Sequence, residues 1–239
     1  KTYIKWMLHG SRLVMGIGDR AVHCYKSAFS GPVELLPYGQ DLSYNYSIDR
    51  PSHDHHCPVT FTFSGQMVER HNIDLIAKAI LILYSKYPAG FHFILAGYGP
   101  LVPLFWEITK INSDIKNIIS VDTQYDTWTD RLRPFAKSDA LVYPSNHSGW
   151  GLVIPEAMAS GCIPITTLNV EAARFYVKHE INGFFINPCI EELVACMSWC
   201  IENRNKLDIM SKNARLAAQG GDAKVIAKKL VEYLESVGL

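Results

Sequence analysis

Short apolar runs alternate with longer amphipathic stretches along most of the chain. A short apolar run bounded by polar or glycine-containing segments is typical of a strand that is buried on both faces of a sheet. Such runs lie at 59–63, 91–96, 118–121, 140–143, 163–166 and 184–186. The stretches between and after them predict helices at 73–87, 101–111, 130–137, 152–159, 172–178, 190–203, 207–219 and 223–237. Strands that alternate with helices in this way predict an α/β protein with a Rossmann-like, doubly wound parallel sheet.

The first part of the chain is less regular. It has apolar runs at 13–17 and 33–37, a predicted helix at 20–28, and a segment at 38–58 that is rich in Tyr, Ser, Asp, His and Pro. Because this segment shows no periodicity, we interpret it as a linker. It contains the string DHHC at 54–57, and His and Cys are ligands that zinc prefers. No second cluster supplies further ligands, so we predict no metal site.

Composition and charge narrow the classes of partner. The 239 residues include 23 Lys and Arg and 23 Asp and Glu, so the formal net charge is zero, which gives no support for a nucleic-acid partner. No apolar run approaches the roughly 20 residues that a membrane-spanning helix needs. The six cysteines form no C-x-x-C pair, so we expect free thiols and a cytoplasmic protein.

One segment combines several features of an anion site. It reads SNHSGWGLVIPEAMASG at 145–161 and follows the predicted strand at 140–143. Glycines flank Trp150, and the predicted helix at 152–159 begins directly after them, so that free backbone N–H groups at the helix start face the loop. Glu156 lies one turn inside this helix, where its carboxylate would repel a phosphate, and we therefore expect it to bind a pair of sugar hydroxyls. The alternative is that the glycines only shape a turn and that Glu156 is solvated.

Five motifs carry a family resemblance. They are PYGQD at 37–41, SGQMVERHNID at 64–74, GYGP at 97–100, the segment at 145–161, and NG at 182–183. In order and spacing they resemble the family 4 retaining glycosyltransferases of the GT-B fold. The resemblance implies transfer of a sugar from a nucleotide-diphosphate sugar to a glycan or lipid-linked acceptor. It also implies retention of the anomeric configuration and no separate cofactor.

The resemblance further implies how the chain is divided. Residues 1–57 resemble the end of an N-terminal, acceptor-binding domain together with the interdomain linker. Residues 58–220 resemble the donor-binding Rossmann-like domain, and residues 221–239 resemble the helix that packs back toward the N-terminal domain. On this basis we expect a further N-terminal part upstream, which would bind the acceptor and associate peripherally with the inner face of the membrane. The isolated chain is then expected to be inactive.

The residues that match the family's motifs receive donor-binding roles from the resemblance. Glu156 matches a glutamate that binds the ribose hydroxyls, and Gly65 matches a glycine that lets the backbone approach the diphosphate. We expect further positions at or next to these motifs to face the phosphates or the sugar, and they are Gln66, Arg70, Gly149, Trp150, Gly151, Leu152 and Val153.

Several positions depart from the family's pattern. The first glutamate of the E-x7-E motif is Ser148, and the phosphate-binding arginine and lysine fall on Gln66 and His71. The glycine that follows the lysine is Asn72. Because transfer needs positive charge on the leaving diphosphate, we assign catalytic roles to Arg70, which is adjacent to the expected lysine position, and to a protonated His71. Ser148 receives a catalytic role that holds the sugar. The departures leave open an alternative from another class, a degenerate homologue that binds a nucleotide or a partner protein without catalysis.

Overall fold

The computed structural model describes residues 2–49, 57–111, 113–124, 127 and 129–238. In chain order the strands are β1 (Val14–Gly16), β2 (Val33–Leu35), β3 (Val59–Gln66), β4 (Phe91–Tyr98), β5 (Ile119–Asp122), β6 (Ala140–Tyr143), β7 (Ile163–Thr166) and β8 (Phe184–Phe185). The helices are α1 (Thr2–Met7), α2 (Asp19–Lys26), α3 (Ser43–Ser47), α4 (Ile73–Lys86), α5 (Pro103–Ile111), α6 (Arg133–Ala136), α7 (Val153–Ala159), α8 (Glu171–Tyr176), α9 (Ile190–Glu202), α10 (Arg204–Ala218) and α11 (Ala223–Ser236).

The chain divides into two compact units. The terminal unit contains the chain up to Leu42 and from Gln219 onward, and the sheet unit is Ser43–Ala218. The assignment of residues 1–57, 58–220 and 221–239 to parts of two glycosyltransferase domains stays a prediction.

The sheet unit contains a six-stranded sheet in the described part of the chain, in the order β5-β4-β3-β6-β7-β8. Every pair of neighbouring strands in it is parallel. Helices occupy the connections between successive strands, which is the doubly wound α/β arrangement. The predicted fold class is confirmed.

The centre of the sheet explains why the apolar runs predicted strands so well. β6 and β7 are buried at every position, so that both of their faces are covered and no polar residue alternates with the apolar ones. Next to them, Phe61 and Phe63 of β3 are fully buried, and Phe61 stacks on Phe93 of β4 with 6.4 Å between ring centroids. The strands predicted at 140–143 and 163–166 are confirmed residue for residue.

Part of the predicted linker at 38–58 is a short helix, α3. Its Asn45 is buried and donates from Nδ2 to the carbonyl oxygen of Glu156 at 3.0 Å and to Oγ of Ser160 at 2.9 Å. On the adjacent residue, the Tyr46 carbonyl accepts from Arg215 Nη2 at 2.6 Å. These contacts hold α3 against α7 and α10, so this part of the segment is an integral element of the sheet unit.

The terminal unit brings the first and last parts of the chain together. β1 and β2 form a two-stranded parallel sheet. Asp222 caps α11 by accepting from the Lys224 backbone N–H at 2.9 Å. From α11 the hydroxyl of Tyr233 donates to the Leu35 carbonyl of β2 at 3.2 Å, which ties the helix to the small sheet.

Two negative findings concern the whole described chain. Within its ranges, no helix is both long and apolar enough to cross a membrane. None of the six cysteines, all of which are described, forms a disulfide, as the sequence predicted. Cys162 and Cys200 are buried, in keeping with the small, apolar character of a thiol.

Candidate functional site

The sheet changes its direction of growth between β3 and β6. From β3 the chain adds β4 and β5 on one side, and from β6 it adds β7 and β8 on the other. In doubly wound sheets, ligands bind in the crevice outside the carboxyl ends of the strands at such a point. The β3 loop (residues 67–72) and the β6 loop (residues 144–152) contain most of the predicted site residues.

Hydrogen bonds tie the β3 loop to the β6 loop. The Asn146 backbone N–H donates to the Arg70 carbonyl at 2.8 Å, and Asn72 Nδ2 donates to the Pro144 carbonyl at 2.7 Å. Asn146 Nδ2 also donates to Asn72 Oδ1 at 2.9 Å. Asn72 has a φ of 53°, a left-handed conformation that asparagine tolerates better than most residues other than glycine. The departure from the family's glycine therefore preserves the backbone shape and adds two inter-loop hydrogen bonds.

The side chain of His71 is buried at the centre of this junction, with 3% of its surface exposed. Its Nδ1 lies 2.9 Å from Ser145 Oγ on the β6 loop. Its Nε2 accepts from Arg70 Nε at 3.2 Å and lies 3.4 Å from the hydroxyl of Tyr143. The imidazole also packs on the Tyr143 ring, with 4.9 Å between centroids. His71 thus joins the predicted cation Arg70 to the end of β6.

The surroundings of His71 disfavour its charged form. Burial and, to a lesser extent, the neighbouring Arg70 charge together lower the pKa of His71 from 6.5 to about 4. The imidazole is therefore neutral near pH 7 in this structure. These surroundings disfavour the protonated His71 that we expect beside a phosphate, and its catalytic role stays a prediction.

Tyr143, the last residue of β6, brings Ser148 into the same cluster. Burial raises the pKa of Tyr143 to about 12, against the smaller opposing effects of a hydrogen bond with Ser148 and of the Arg70 charge. The three residues predicted to be catalytic, Arg70, His71 and Ser148, therefore surround one buried phenol. Sequence reasoning missed Tyr143 and Ser145. Both are polar residues at the carboxyl end of a buried strand, and that position is the signal that identifies them.

A cavity of about 280 Å³ opens beside this cluster at the carboxyl ends of β3, β4 and β5. Gly65 and Gln66 line it, and a Cβ on Gly65 would lie 3.9 Å from the Tyr143 ring. Gln66 is exposed and donates from Nε2 to the Tyr98 hydroxyl at 3.3 Å across the cavity. Gly97 is required here, because a Cβ at that residue would overlap the carbonyl oxygen of Gly65. The two glycines allow β3 and β4 to end side by side with their backbones facing open space.

In the predicted glycine loop, one glycine has room for a side chain and the other does not. Gly149 is exposed, and a Cβ there would meet nothing within 4 Å. Gly151 has a φ of 99°, and a Cβ there would lie 2.7 Å from Val170 Cγ1. Between them, Trp150 is buried and packs against Phe175 and Tyr176 of α8, each 6.2 Å away between centroids. The indole is therefore a packing group, so the donor-binding role expected of Trp150 falls to its backbone and stays a prediction.

Helix α7 carries Glu156 in its first turn. Leu152 is the N-cap residue and is 40% exposed, and the helix begins at Val153. Because α7 has only seven residues, its backbone N–H groups matter more here than a long helix dipole. Glu156 is 7% exposed, so the alternative of a solvated helix carboxylate is wrong. Its expected binding to sugar hydroxyls stays a prediction.

The DHHC string falls largely outside the described residues, since only Cys57 of 54–57 is described. Over the ranges that are described, no group of three or more His, Cys, Asp or Glu side chains is arranged to hold a metal ion.

Comparison with known proteins places the chain in a family. The profile described as "Glycosyl transferases group 1" matches residues 48–217, which is more than half of the chain. The chain belongs to this family. The matched range includes the β3 loop, the β6 loop and Glu156, so the site just described lies wholly within the family's conserved domain model.

This group 1 chain is similar to known proteins in sequence and in structure. It is 26% identical over 128 residues to an uncharacterised glycosyltransferase of Methanocaldococcus jannaschii, covering 53% of this chain and 31% of that protein. The pneumococcal O-GlcNAc transferase GtfA, solved with UDP and GlcNAc, has a TM-score of 0.76 at 17% identity, over 99% of this chain and 48% of that one. Anabaena HepE, solved with UDP and glucose, has a TM-score of 0.70 at 19% identity, over 98% of this chain and 66% of that one.

These structural neighbours confirm the Rossmann-like fold of GT-B glycosyltransferases that the motifs predicted. The chain spans about a third of the curated relative and half to two thirds of the two solved proteins. The assignment to family 4 stays a prediction.

Proposed function

We propose that this chain binds the nucleotide-diphosphate-sugar donor of a glycosyltransferase in the crevice between β3 and β6. The observation that carries the proposal is the convergence of Arg70, His71 and Ser148 on Tyr143, beside the cavity at Gly65, in a member of a glycosyltransferase family. Residues far apart in sequence meet there because the carboxyl ends of neighbouring parallel strands share one edge of the sheet.

Arg70 is the cation that we assign to the diphosphate. Its side chain is exposed, and among the described residues no carboxylate forms an ion pair with it. A guanidinium binds phosphate oxygens in pairs and stabilises the charge that develops on a leaving diphosphate. Gln66 is uncharged and His71 is neutral, so neither replaces the family's missing cations. We therefore expect Arg70 to carry most of the electrostatic stabilisation.

The other predicted residues contact the rest of the donor. We assign Glu156 to the ribose hydroxyls, because a buried carboxylate is a strong acceptor for two adjacent O–H groups. Ser148 and the backbone at Gly149, Trp150 and Gly151, with Leu152 and Val153 at the helix start, are assigned to the sugar and its phosphates. Gly65 and Gln66 present the end of β3 to the diphosphate.

The reaction that we propose for the complete protein is transfer of the sugar to a glycan or lipid-linked acceptor. The bond between the anomeric carbon and the diphosphate oxygen breaks, the acceptor oxygen bonds to that carbon, and the acceptor's hydroxyl proton is released. Retention of configuration, the absence of a cofactor, a cytoplasmic site of action and an acceptor bound by residues outside this chain all rest on the family resemblance. On this proposal the chain alone binds donor without transferring its sugar.

Calorimetric titration of the 239-residue chain with UDP, GDP and ADP tests donor binding. UDP is the first choice, since both GtfA and HepE were solved with it. We expect one nucleotide to bind, and Arg70→Ala and Glu156→Gln each to weaken it about tenfold or more. Lys137→Ala is the matched control, because this exposed lysine precedes β6 at the opposite edge of the sheet. Failure of a folded chain to bind any of the three would favour a degenerate homologue that binds a partner protein.

A further inference from the structure

We propose that His71 is a positioning residue, whose Nε2 accepts from Arg70 Nε and so fixes the guanidinium at the mouth of the crevice. The imidazole itself does not bind the donor. This inference rests on the proposed function, because it explains how a single cation is held where the diphosphate is expected.

The hydrogen-bond network assigns the form of the imidazole. Arg70 Nε always carries a proton, so Nε2 at 3.2 Å must be the acceptor. Nδ1 then carries the ring proton and donates to Ser145 Oγ at 2.9 Å. Ser145 Oγ in turn lies 2.9 Å from the His147 carbonyl and 3.2 Å from the Arg70 carbonyl, either of which accepts its single proton. Each proton in this series of hydrogen bonds, from Arg70 Nε through His71 to Ser145, has an acceptor when His71 is neutral.

A charged imidazole would break the same network. An Nε2–H group would face the Arg70 Nε–H group, so that two donors and two positive charges would oppose each other. The groups around the ring are Arg70 on the same loop, the Tyr143 hydroxyl on β6, Ser145 on the β6 loop and the Phe63 ring on β3, 6.2 Å away between centroids. None of these four carries a negative charge that would offset the charge of an imidazolium, in agreement with the low pKa of His71.

The hydrogen bond from Arg70 Nε to His71 determines which nitrogens of Arg70 can bind a ligand. The guanidinium keeps its two Nη groups, which form the end of the planar fork and bind two oxygens of one phosphate. An exposed arginine otherwise samples many rotamers, and fixing it before the ligand arrives lowers the entropic cost of binding. A residue that departs from the family's lysine thus supports the neighbouring arginine in place of supplying a second cation.

Two substitutions separate the acceptor from the rest of the imidazole. In His71→Gln, the side-chain oxygen reaches the position of Nε2 and can still accept from Arg70. In His71→Asn, the shorter amide occupies the position of Nδ1 and can still donate to Ser145, but no acceptor remains for Arg70. With the nucleotide that binds the wild-type chain best, we expect His71→Asn to lose about tenfold in affinity and His71→Gln to retain most of it. In an Arg70→Ala background, the two variants should bind equally.

The same series distinguishes failure of this inference from failure of the proposed function. If the wild-type chain binds a nucleotide through Arg70, but His71→Asn and His71→Gln bind alike or their losses add to that of Arg70→Ala, the positioning role is wrong. If no nucleotide binds, the proposed function fails. The ¹⁵N shifts of the His71 ring in the free chain then decide the inference: a neutral ring protonated on Nδ1 supports it, and a proton on Nε2 at pH 7 overturns it.

Discussion

Replacing Gly151 with alanine should destabilise the sheet unit, whereas the same change at Gly149, two residues earlier, should not. Gly151 has a φ of 99°, where alanine is strained, and its Cβ would lie 2.7 Å from Val170 Cγ1. Gly149 has no such φ, and its Cβ would extend into open space. The two positions share one loop and one substitution, so each is the control for the other.

The expected difference follows from two costs at Gly151. A non-glycine residue in a sparsely populated backbone region costs about 1–3 kcal/mol. Val170 is fully buried and its β-branched side chain has little rotamer freedom, so overpacking against it adds about 1 kcal/mol or more. We therefore expect Gly151→Ala to lower the free energy of unfolding by about 2–4 kcal/mol. Gly149→Ala should change it by less than about 0.5 kcal/mol, as is usual for an exposed position.

Urea unfolding followed by circular dichroism measures both variants. Equal stabilities, within about 0.5 kcal/mol, would refute the reasoning from backbone conformation and packing. Nucleotide titration adds a second readout, because the new methyl group of Gly149→Ala enters the space that we assign to the donor. We expect this variant to unfold like the wild-type chain and to bind nucleotide more weakly.

Two further predictions concern stability. Asn45→Ala removes two buried hydrogen bonds and should lower the free energy of unfolding by about 2 kcal/mol. Ser47→Ala, on the same helix, removes only an exposed hydrogen bond within that helix and should lower it by less than about 0.5 kcal/mol. Equal effects of the two variants on the urea midpoint would mean that α3 is only a linker. Because the pKa of His71 is about 4 when folded and 6.5 ordinarily, the unfolded chain binds more protons between these values, so this contribution to stability is complete above pH 6.5 and is lost as the pH falls toward 4. His71→Gln should flatten that part of the stability–pH curve, and an unchanged curve would show that His71 is not the group responsible.

The strands were predictable because burial on both faces leaves a local pattern. Ala140–Tyr143 and Ile163–Thr166 are apolar runs whose limits are visible in the sequence. Helix α3 was not predictable in the same way. Its sequence, SYNYS, has poor helix formers and only five residues, so it depends on contacts such as those of Asn45 with α7.

The candidate site was predictable as an edge of the sheet but not as a cluster. Motifs placed Gly65, Arg70, His71 and Ser148 in loops that follow strands, and parallel strands bring such loops to one edge. No pattern in the sequence indicates directly that β3 and β6 are neighbours, and this adjacency is what joins His71 to Tyr143. The neutral state of His71 likewise depends on its burial against the β6 loop, which is more than 70 residues away in sequence.

The most direct test of the proposed donor site is to map nucleotide binding onto the chain. Titration of ¹⁵N-labelled protein with UDP, or with GDP or ADP if either binds more tightly, should shift the backbone amides of Gly65, Gly149 and Gly151 and the Arg70 Nε–H signal. The amides of Val59 and Ala140, at the amino ends of β3 and β6, should not move. Shifts confined to the amino ends of the strands, or to the terminal unit, would contradict a donor site between β3 and β6.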